Sequence, residues 1–272
     1  MSRFATIALL LLAVANCGTG ELSRGRDSVR QGKYRIAIEH YLTFVKEHPK
    51  HKRAPEALFE VAGLQHSALS EPENAVVTYQ KLVSSYPVND YTLNAQRRLA
   101  EIYKSHFSNY HQAIIEYEKF IHAAPKHEDL PAVMMELAYC YTLVHNFKDA
   151  EAEYDSIIKN YPKFKKLDEV HFMKGNNHFI SGEYEKAIAV YRQVMNNFTK
   201  SPFVAQALFG IATAYEEMED MGRAKEYYEK ALKTYPAPNV VRIRLRGIEE
   251  REKRKNGKTI KSAPKDEDDY FS

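Results

Sequence analysis

The chain has 272 residues, with 39 Lys and Arg against 36 Asp and Glu and a formal net charge of +3. Apolar residues make up 44% of it, which is enough to bury a core and excludes global disorder, while the near-neutral charge argues against a dedicated nucleic-acid binder. Nineteen Tyr, no Trp and eleven Gly suit helical packing with aromatic spacers, and two cysteines, Cys17 and Cys140, are too few for a disulfide scaffold.

The N-terminus reads MSRFATIALLLLAVANCGTG. One basic residue, Arg3, precedes an apolar run from Phe4 to Ala15 that is too short for a membrane span of ~20 residues and has the length of a signal-peptide core. Two endings compete. Ala13-Val14-Ala15 is a small-x-small cleavage site that would release a soluble chain starting at Asn16. Alternatively, VANC resembles a bacterial lipobox, in which Cys17 is the lipidated first residue; Asn16 departs from the usual Gly, Ala or Ser. The apolar run reaches Cys17 with almost no polar spacer, so lipidation of Cys17 is the favoured reading. Residues 1–16 are then a signal peptide and 17–21 a tether. Gly18 is not the Asp that marks inner-membrane retention, so the resemblance implies an outer-membrane address.

From residue 22 the chain repeats itself. Ala, an aromatic four later, an apolar residue seven later and Pro twelve later recur at Ala37/Tyr41/Phe44/Pro49, Ala75/Tyr79/Leu82/Pro87 and Ala113/Tyr117/Phe120/Pro125. They recur again at Ala150/Tyr154/Ile157/Pro162, Ala187/Tyr191/Val194 (with Thr199 for Pro) and Ala224/Tyr228/Ala231/Pro236. Successive Ala residues lie 38, 38, 37, 37 and 37 apart. Spacings of four and seven fall on one helical face, and a terminal Pro cannot continue the helix. Counting back twelve residues (thirteen in the third copy) finds Gly25, Gly63, Ala100, Ala138, Gly175 and Ala212. Three residues further on stand Ser28, His66, Tyr103, Tyr141, His178 and Tyr215. Small residues on both helices of a pair let the backbones approach while the flanking side chains fill the space beside the contact. Pro in the first turn of several first helices and Ser201 as an N-cap support the pairing.

This pattern resembles the tetratricopeptide repeat, whose usual period is about 34; the longer period implies an extra half-turn or linker. The resemblance covers residues 22–236 and implies an all-α, right-handed superhelical solenoid of about six helix pairs. One repeat cannot bury its apolar face, so copies stack and generate a concave surface. Residues 237–255 read as a capping helix whose basic run, Arg251 to Lys255, is a solvated face or a contact for acidic lipid or a partner. Residues 256–272, NGKTIKSAPKDEDDYFS, have little periodicity and read as a disordered tail with an acidic, aromatic end.

No HExxH, GxSxG, P-loop or Gly-rich dinucleotide fingerprint occurs, so neither catalysis nor a cofactor or metal is expected. The eleven His are scattered, with His66 and His178 at repeat-defining positions, and Cys140 in MELAYCYTL reads as a small core residue. What remains is a surface. On the first helix of each pair, residues three before, one after and four after the small position should face inward. In repeats four to six these include Met135, Tyr139, Phe172, Asn176, Phe179 and Phe209, with Thr142, Thr213 and Glu216. In repeats two and three they are Glu60, Leu64, Ser67, Arg97, Glu101 and Lys104. An apolar, aromatic half beside a charged half suits a peptide or strand ligand; the alternative is that Phe172 and Phe209 pack on the neighbouring repeat. A lipoprotein-type signal followed by repeats ending in Tyr-Pro resembles the outer-membrane assembly lipoprotein family, BamD/YfiO. That resemblance implies a lipid-anchored scaffold on the periplasmic face of the outer membrane, binding barrel-assembly components or unfolded outer-membrane proteins. Family members have about five repeats and this chain has six, and only scaffold positions match. The alternatives are a Tol–Pal adaptor of the CpoB kind, a pilus or gliding adaptor, and a soluble periplasmic or secreted protein.

Overall fold

The computed structural model describes residues 20–255, so the signal peptide, Cys17 and the tail 256–272 lie outside the described residues. Among those residues there are thirteen helices and no strand. They are α1 (20–30), α2 (Tyr34–Glu47), α3 (Ala54–Ser67), α4 (Pro72–Ser85), α5 (Asp90–Ser105), α6 (Tyr110–Ala123) and α7 (Leu130–Leu143). After these come α8 (Phe147–Asn160), α9 (Leu167–Ile180), α10 (Tyr184–Asn197), α11 (Phe203–Glu217), α12 (Met221–Ala231) and α13 (Pro238–Lys255). Helix α1 already includes Gly20 and Glu21, so the expected tether at 17–21 is helical at its end. The chain divides into two compact units, broken between Asn146 and Phe147. Helices α1–α7 belong to the first and α8–α13 to the second.

Within each unit the repeat pattern is the core. All six register alanines, from Ala37 to Ala224, are fully buried, and the six tyrosines four residues later are no more than 3% exposed. The residues at the seventh position, from Phe44 to Ala231, are buried as well. Within a unit a second helix packs against its own first helix and the first helix of the next repeat, as α4 does between α3 and α5, and α10 between α9 and α11. One face therefore serves two neighbours, which explains why Ala and Tyr must alternate there: Ala admits the close crossing and Tyr fills the adjoining space.

The terminal Pro is not what ends these helices. In the first five copies the second helix stops ten residues after the register Ala, including α10, where Thr199 replaces Pro. The turns inside the pairs are stricter. Five residues before every register Ala stands a residue in the left-handed region: Gly32, Ser70, Ser108, His145, Gly182 and Glu219, with φ between 50° and 81°. The next amide closes back onto the first helix, as Lys33 N donates to Ser28 O (2.8 Å) and Glu183 N to His178 O (2.9 Å). This satisfies carbonyls that a helix end otherwise leaves open.

The same hydrogen bonds correct the register of repeat two. In repeats one, four, five and six the closing bond spans five residues, but Glu71 N reaches Gln65 O and Asn109 N reaches Tyr103 O, six residues back. Repeats two and three thus both carry one extra turn residue. The small position of repeat two is Ala62, which is fully buried, and not Gly63. A Cβ on Gly25 or Gly175 would fall 2.5 Å from its tyrosine ring, whereas one on Gly63 meets only the Tyr79 hydroxyl at 3.9 Å. The inward set of repeat two is therefore Phe59, Gly63 and His66, and the expected Glu60, Leu64 and Ser67 are each one residue late. Leu64 instead packs against the core of its unit.

Candidate partner-binding surface

In the second unit, α9 and α11 lie side by side and carry Phe172, Asn176, Phe179 and Phe209. All four are half-buried. Phe172 stacks on Phe203 (centroids 5.1 Å apart) and leans on Tyr191 at 5.9 Å. One repeat later Phe209 stacks on Tyr235 at 4.7 Å and meets Tyr228 edge-on at 5.3 Å. Phe179 packs on Tyr184 at 5.5 Å. Each ring is thus partly covered: Phe203 and Tyr235 hold Phe172 and Phe209 from beyond their own helix pairs, Tyr184 holds Phe179 from within its pair, and part of each ring stays exposed. Such pairs contribute ~0.5–1.5 kcal/mol beyond area burial.

The Asn176 amide is partly used. Asn176 Oδ1 accepts the Tyr191 hydroxyl at 2.7 Å, which leaves its nitrogen to donate. Tyr191 itself lies in a slot between Gly175 and Gly210, since a Cβ on either would sit 2.5 or 2.8 Å from its ring. In the sixth repeat Tyr228 donates to Glu216 at 2.7 Å and shares a hydrogen bond with Thr213 at 3.1 Å. Glu216 also pairs with Arg251 of α13 and approaches Arg244 at 3.8 Å. Burial pushes the Glu216 carboxyl up, but the bonds from Arg251 and Tyr228 outweigh it and hold the group below its ordinary value. Arg251, expected to be solvated or to meet a partner, is thus the clasp that fastens the capping helix.

In the first unit Met135 is 1% exposed, which corrects its expected place on an open surface: it is core. Tyr139 is 37% exposed, with the Lys104 ammonium 5.8 Å above its ring. Thr142 is buried and donates to Ala138 O at 3.1 Å. The charged residues of repeat three are engaged: Arg97 pairs with Asp129 at 3.7 Å, Arg98 takes Glu101 at 2.7 Å, and Lys104 binds Glu136. Burial alone would lower Lys104, yet the Glu136 bond prevails and holds its ammonium above the usual range.

Aligned on the corrected register, the position three before the small residue touches a residue in the first turn of the helix after its pair, or just before that helix, in four repeats. Phe59 meets Tyr91 at 6.0 Å, Arg97 meets Asp129, Phe172 meets Phe203 and Phe209 meets Tyr235. Three contacts are aromatic and one is ionic. The partners Tyr91, Phe203 and Tyr235 escaped sequence reasoning, although their recurrence near each linker was the available signal.

The residue three after the small position makes a second recurring contact, to the preceding second helix. Gln80 donates to Tyr103 (3.1 Å), Tyr141 to Glu118 (2.6 Å) and Arg192 to Tyr215 (2.9 Å). In repeat five this position is His178, buried between Glu183 at Nδ1 (2.8 Å) and Glu151 at Nε2 (3.4 Å). These three side chains come close enough to be considered for a metal. Each carboxylate, however, faces a different ring nitrogen, and Lys186 holds Glu183 at 2.7 Å while Lys174 lies 3.8 Å from Glu151. The arrangement is that of a hydrogen-bonded structural histidine. Cys140 is fully buried, and burial raises its thiol to about 12, so it stays protonated and inert.

Tetratricopeptide-repeat families match residues 22–90 and 170–237, and the outer membrane lipoprotein family YfiO matches residues 103–180. No curated protein sequence matches the chain. Among solved structures, a tetratricopeptide repeat protein from Parabacteroides merdae is similar with a TM-score of 0.57 at 13% identity, covering 85% of this chain and 98% of that one. PilW, a type IV pilus biogenesis factor, has a TM-score of 0.57 at 14% identity over 85% of this chain and 99% of its own. The apo form of RapI has a TM-score of 0.62 at 14% identity over 89% and 74%. At such identities these structures speak for the fold alone. The chain belongs to the tetratricopeptide-repeat proteins and, through its middle repeats, resembles the YfiO family of outer membrane lipoproteins.

Proposed function

We propose that this protein is a non-catalytic scaffold, anchored through a lipid on Cys17 to the periplasmic face of the outer membrane, that holds protein partners during outer-membrane protein assembly. The observation that carries the reading is the YfiO match over residues 103–180, the stretch from Tyr103 to Ile180. The lipobox-like VANC supports the anchor. The partner surface comprises the open faces of Phe172, Phe179 and Phe209, with the Asn176 nitrogen as donor, and separately Tyr139. Barrel-assembly components and unfolded barrel segments are the partners this reading names.

Affinity purification of the full chain from detergent-solubilised envelopes, read by mass spectrometry, tests it. Barrel-assembly subunits support the proposal. Pilus or Tol–Pal components in their place would select an adaptor of those machines. The anchor has its own test: Cys17→Ala should turn a membrane-bound protein into a soluble or unprocessed one, because acyl chains contribute ~0.8 kcal/mol per buried methylene. A soluble wild type beginning at Asn16 would establish cleavage after Ala15 and remove the anchor.

A further inference from the structure

In the first unit the first helices of repeats two and three lie against each other, α3 beside α5, and each brings one imidazole to the contact. His66 stands in the last turn of α3, and His106 is the C-cap of α5, its backbone N–H donating to Ile102 O at 2.9 Å. The stacking of the two repeats sets their Nε2 atoms 3.0 Å apart, with ring centroids at 5.0 Å and ring planes at 79°. His66 is half-buried and His106 exposed, so the pair is open to solution. Three other histidines of this unit give a ring nitrogen to an ordinary partner. His40 Nδ1 meets Glu21 at 2.6 Å, and His51 and His127 accept from the amides two residues on at 3.2 and 3.1 Å. At His66 and His106 nitrogen faces nitrogen, a contact that a neutral pair bridges with a single proton.

The spacing is also the bite of a bis-imidazole chelate. Two imidazole nitrogens ~2.05 Å from one cation lie ~2.9 Å apart at the right angle of a square-planar or octahedral centre, and ~3.3 Å apart in a tetrahedron. The 3.0 Å separation falls between these values and nearer the first. The pair sits at the C-terminal ends of two helices, where the carbonyl dipoles favour positive charge. The side-chain charges that act on His66 from α5, Arg98 and Glu101, pair with each other at 2.7 Å and so add little net repulsion. We propose that His66 and His106 bind one divalent late transition-metal ion through both Nε2 atoms, Cu²⁺ or Ni²⁺ in preference to Zn²⁺, with water in the remaining positions. Bound there, the ion ties α3 to α5 and fixes repeat two against repeat three.

Calorimetric titration of the EDTA-treated full chain with NiCl₂ tests this. One ion should bind tightly near neutral pH and more weakly at mildly acid pH, where protons compete for the same lone pairs. His66→Ala and His106→Ala should each weaken binding about tenfold or more with unchanged circular dichroism. The double variant should be no weaker than either single, since one imidazole alone makes no chelate. His122→Ala, exposed on α6, should leave the isotherm as it is. Amides at the ends of α3 and α5 should exchange more slowly when Ni²⁺ is added to the wild type, and not when it is added to the variants. A wild-type isotherm in either single variant overturns the proposal. So does a wild type that takes up no Ni²⁺ at millimolar concentration, because the two imidazoles then only share a proton.

Discussion

Gly175→Ala and Gly63→Ala are the same chemical change on two first helices, and the structure predicts opposite signs. An interior helical Gly→Ala gains ~1 kcal/mol of backbone propensity. At Gly63 nothing opposes that gain, because the nearest atom to the new Cβ is the Tyr79 hydroxyl at 3.9 Å. At Gly175 the Cβ would lie 2.5 Å from one Tyr191 ring carbon and 2.6 Å from the next. Carbon contacts are comfortable at ~3.5–4.0 Å, so the ring must retreat by about 1 Å. It cannot do so freely. Gly210 lies against its other edge, where a Cβ would be 2.8 Å away, and its hydroxyl is tied to Asn176 at 2.7 Å. Overpacking costs ~1–3 kcal/mol and loss of the hydroxyl bond ~0.5–1.5, which together outweigh the propensity gain. The expected outcome is a loss of about 1–2 kcal/mol for Gly175→Ala against a gain of about 0.5–1 for Gly63→Ala. Urea denaturation followed by circular dichroism reads both through the midpoint. Combining Gly175→Ala with Tyr191→Ala should cost clearly less than the sum of the singles, since the clash goes with the ring. A Gly175→Ala protein as stable as Gly63→Ala would refute the slot and with it the helix register.

Three further outcomes follow from the turns, the clasp and the aromatic surface. Ser70→Gly should raise the melting temperature, because a non-glycine residue at φ 56° holds strain of ~1 kcal/mol that glycine relieves in part, whereas Gly182→Ala should lower it. Glu216, buried and held below its ordinary value of 4.5, contributes stability that is present above the unfolded value and lost as pH falls through the folded one. Thermal melts should therefore show α13 loosening as pH falls below 4.5, and Glu216→Gln should be less stable at neutral pH and flatter across that range. Phe172→Ala and Phe209→Ala should weaken capture of an assembly partner, with costs of ~2 kcal/mol where a ring sits at a desolvated centre. If they lower stability while leaving a titrated partner affinity unchanged, the rings act only within the repeat stack.

The second helices were legible because one short period fixes their environment: within a unit the same face meets two neighbours, as in α4 and α10, so register, burial and aromatic spacing are all written locally. The first helices were harder to place, because their register is set through a turn whose length varies. One residue added before Ala75 leaves the second helix untouched but rotates the reading of the first by a full position. That single residue moves the inward set from Glu60, Leu64 and Ser67 to Phe59, Gly63 and His66, and it erases the charged face expected of repeat two. The left-handed turn residue would have revealed it had it been glycine throughout, but only Gly32 and Gly182 are; Ser70, Ser108, His145 and Glu219 carry the same conformation without the same letter. The stacks explain why the candidate surface could not be settled by periodicity either. Phe172 and Phe209 are spaced as inward residues, yet what holds one face of each is Phe203, from the next repeat, or Tyr235, from the linker that follows α12. Periodicity reports which side a residue faces, and only the neighbouring repeat decides how much of it stays open. A partner that docks there therefore meets half-rings whose positions depend on how successive repeats stack, so binding at this surface and stacking of the repeats should be coupled.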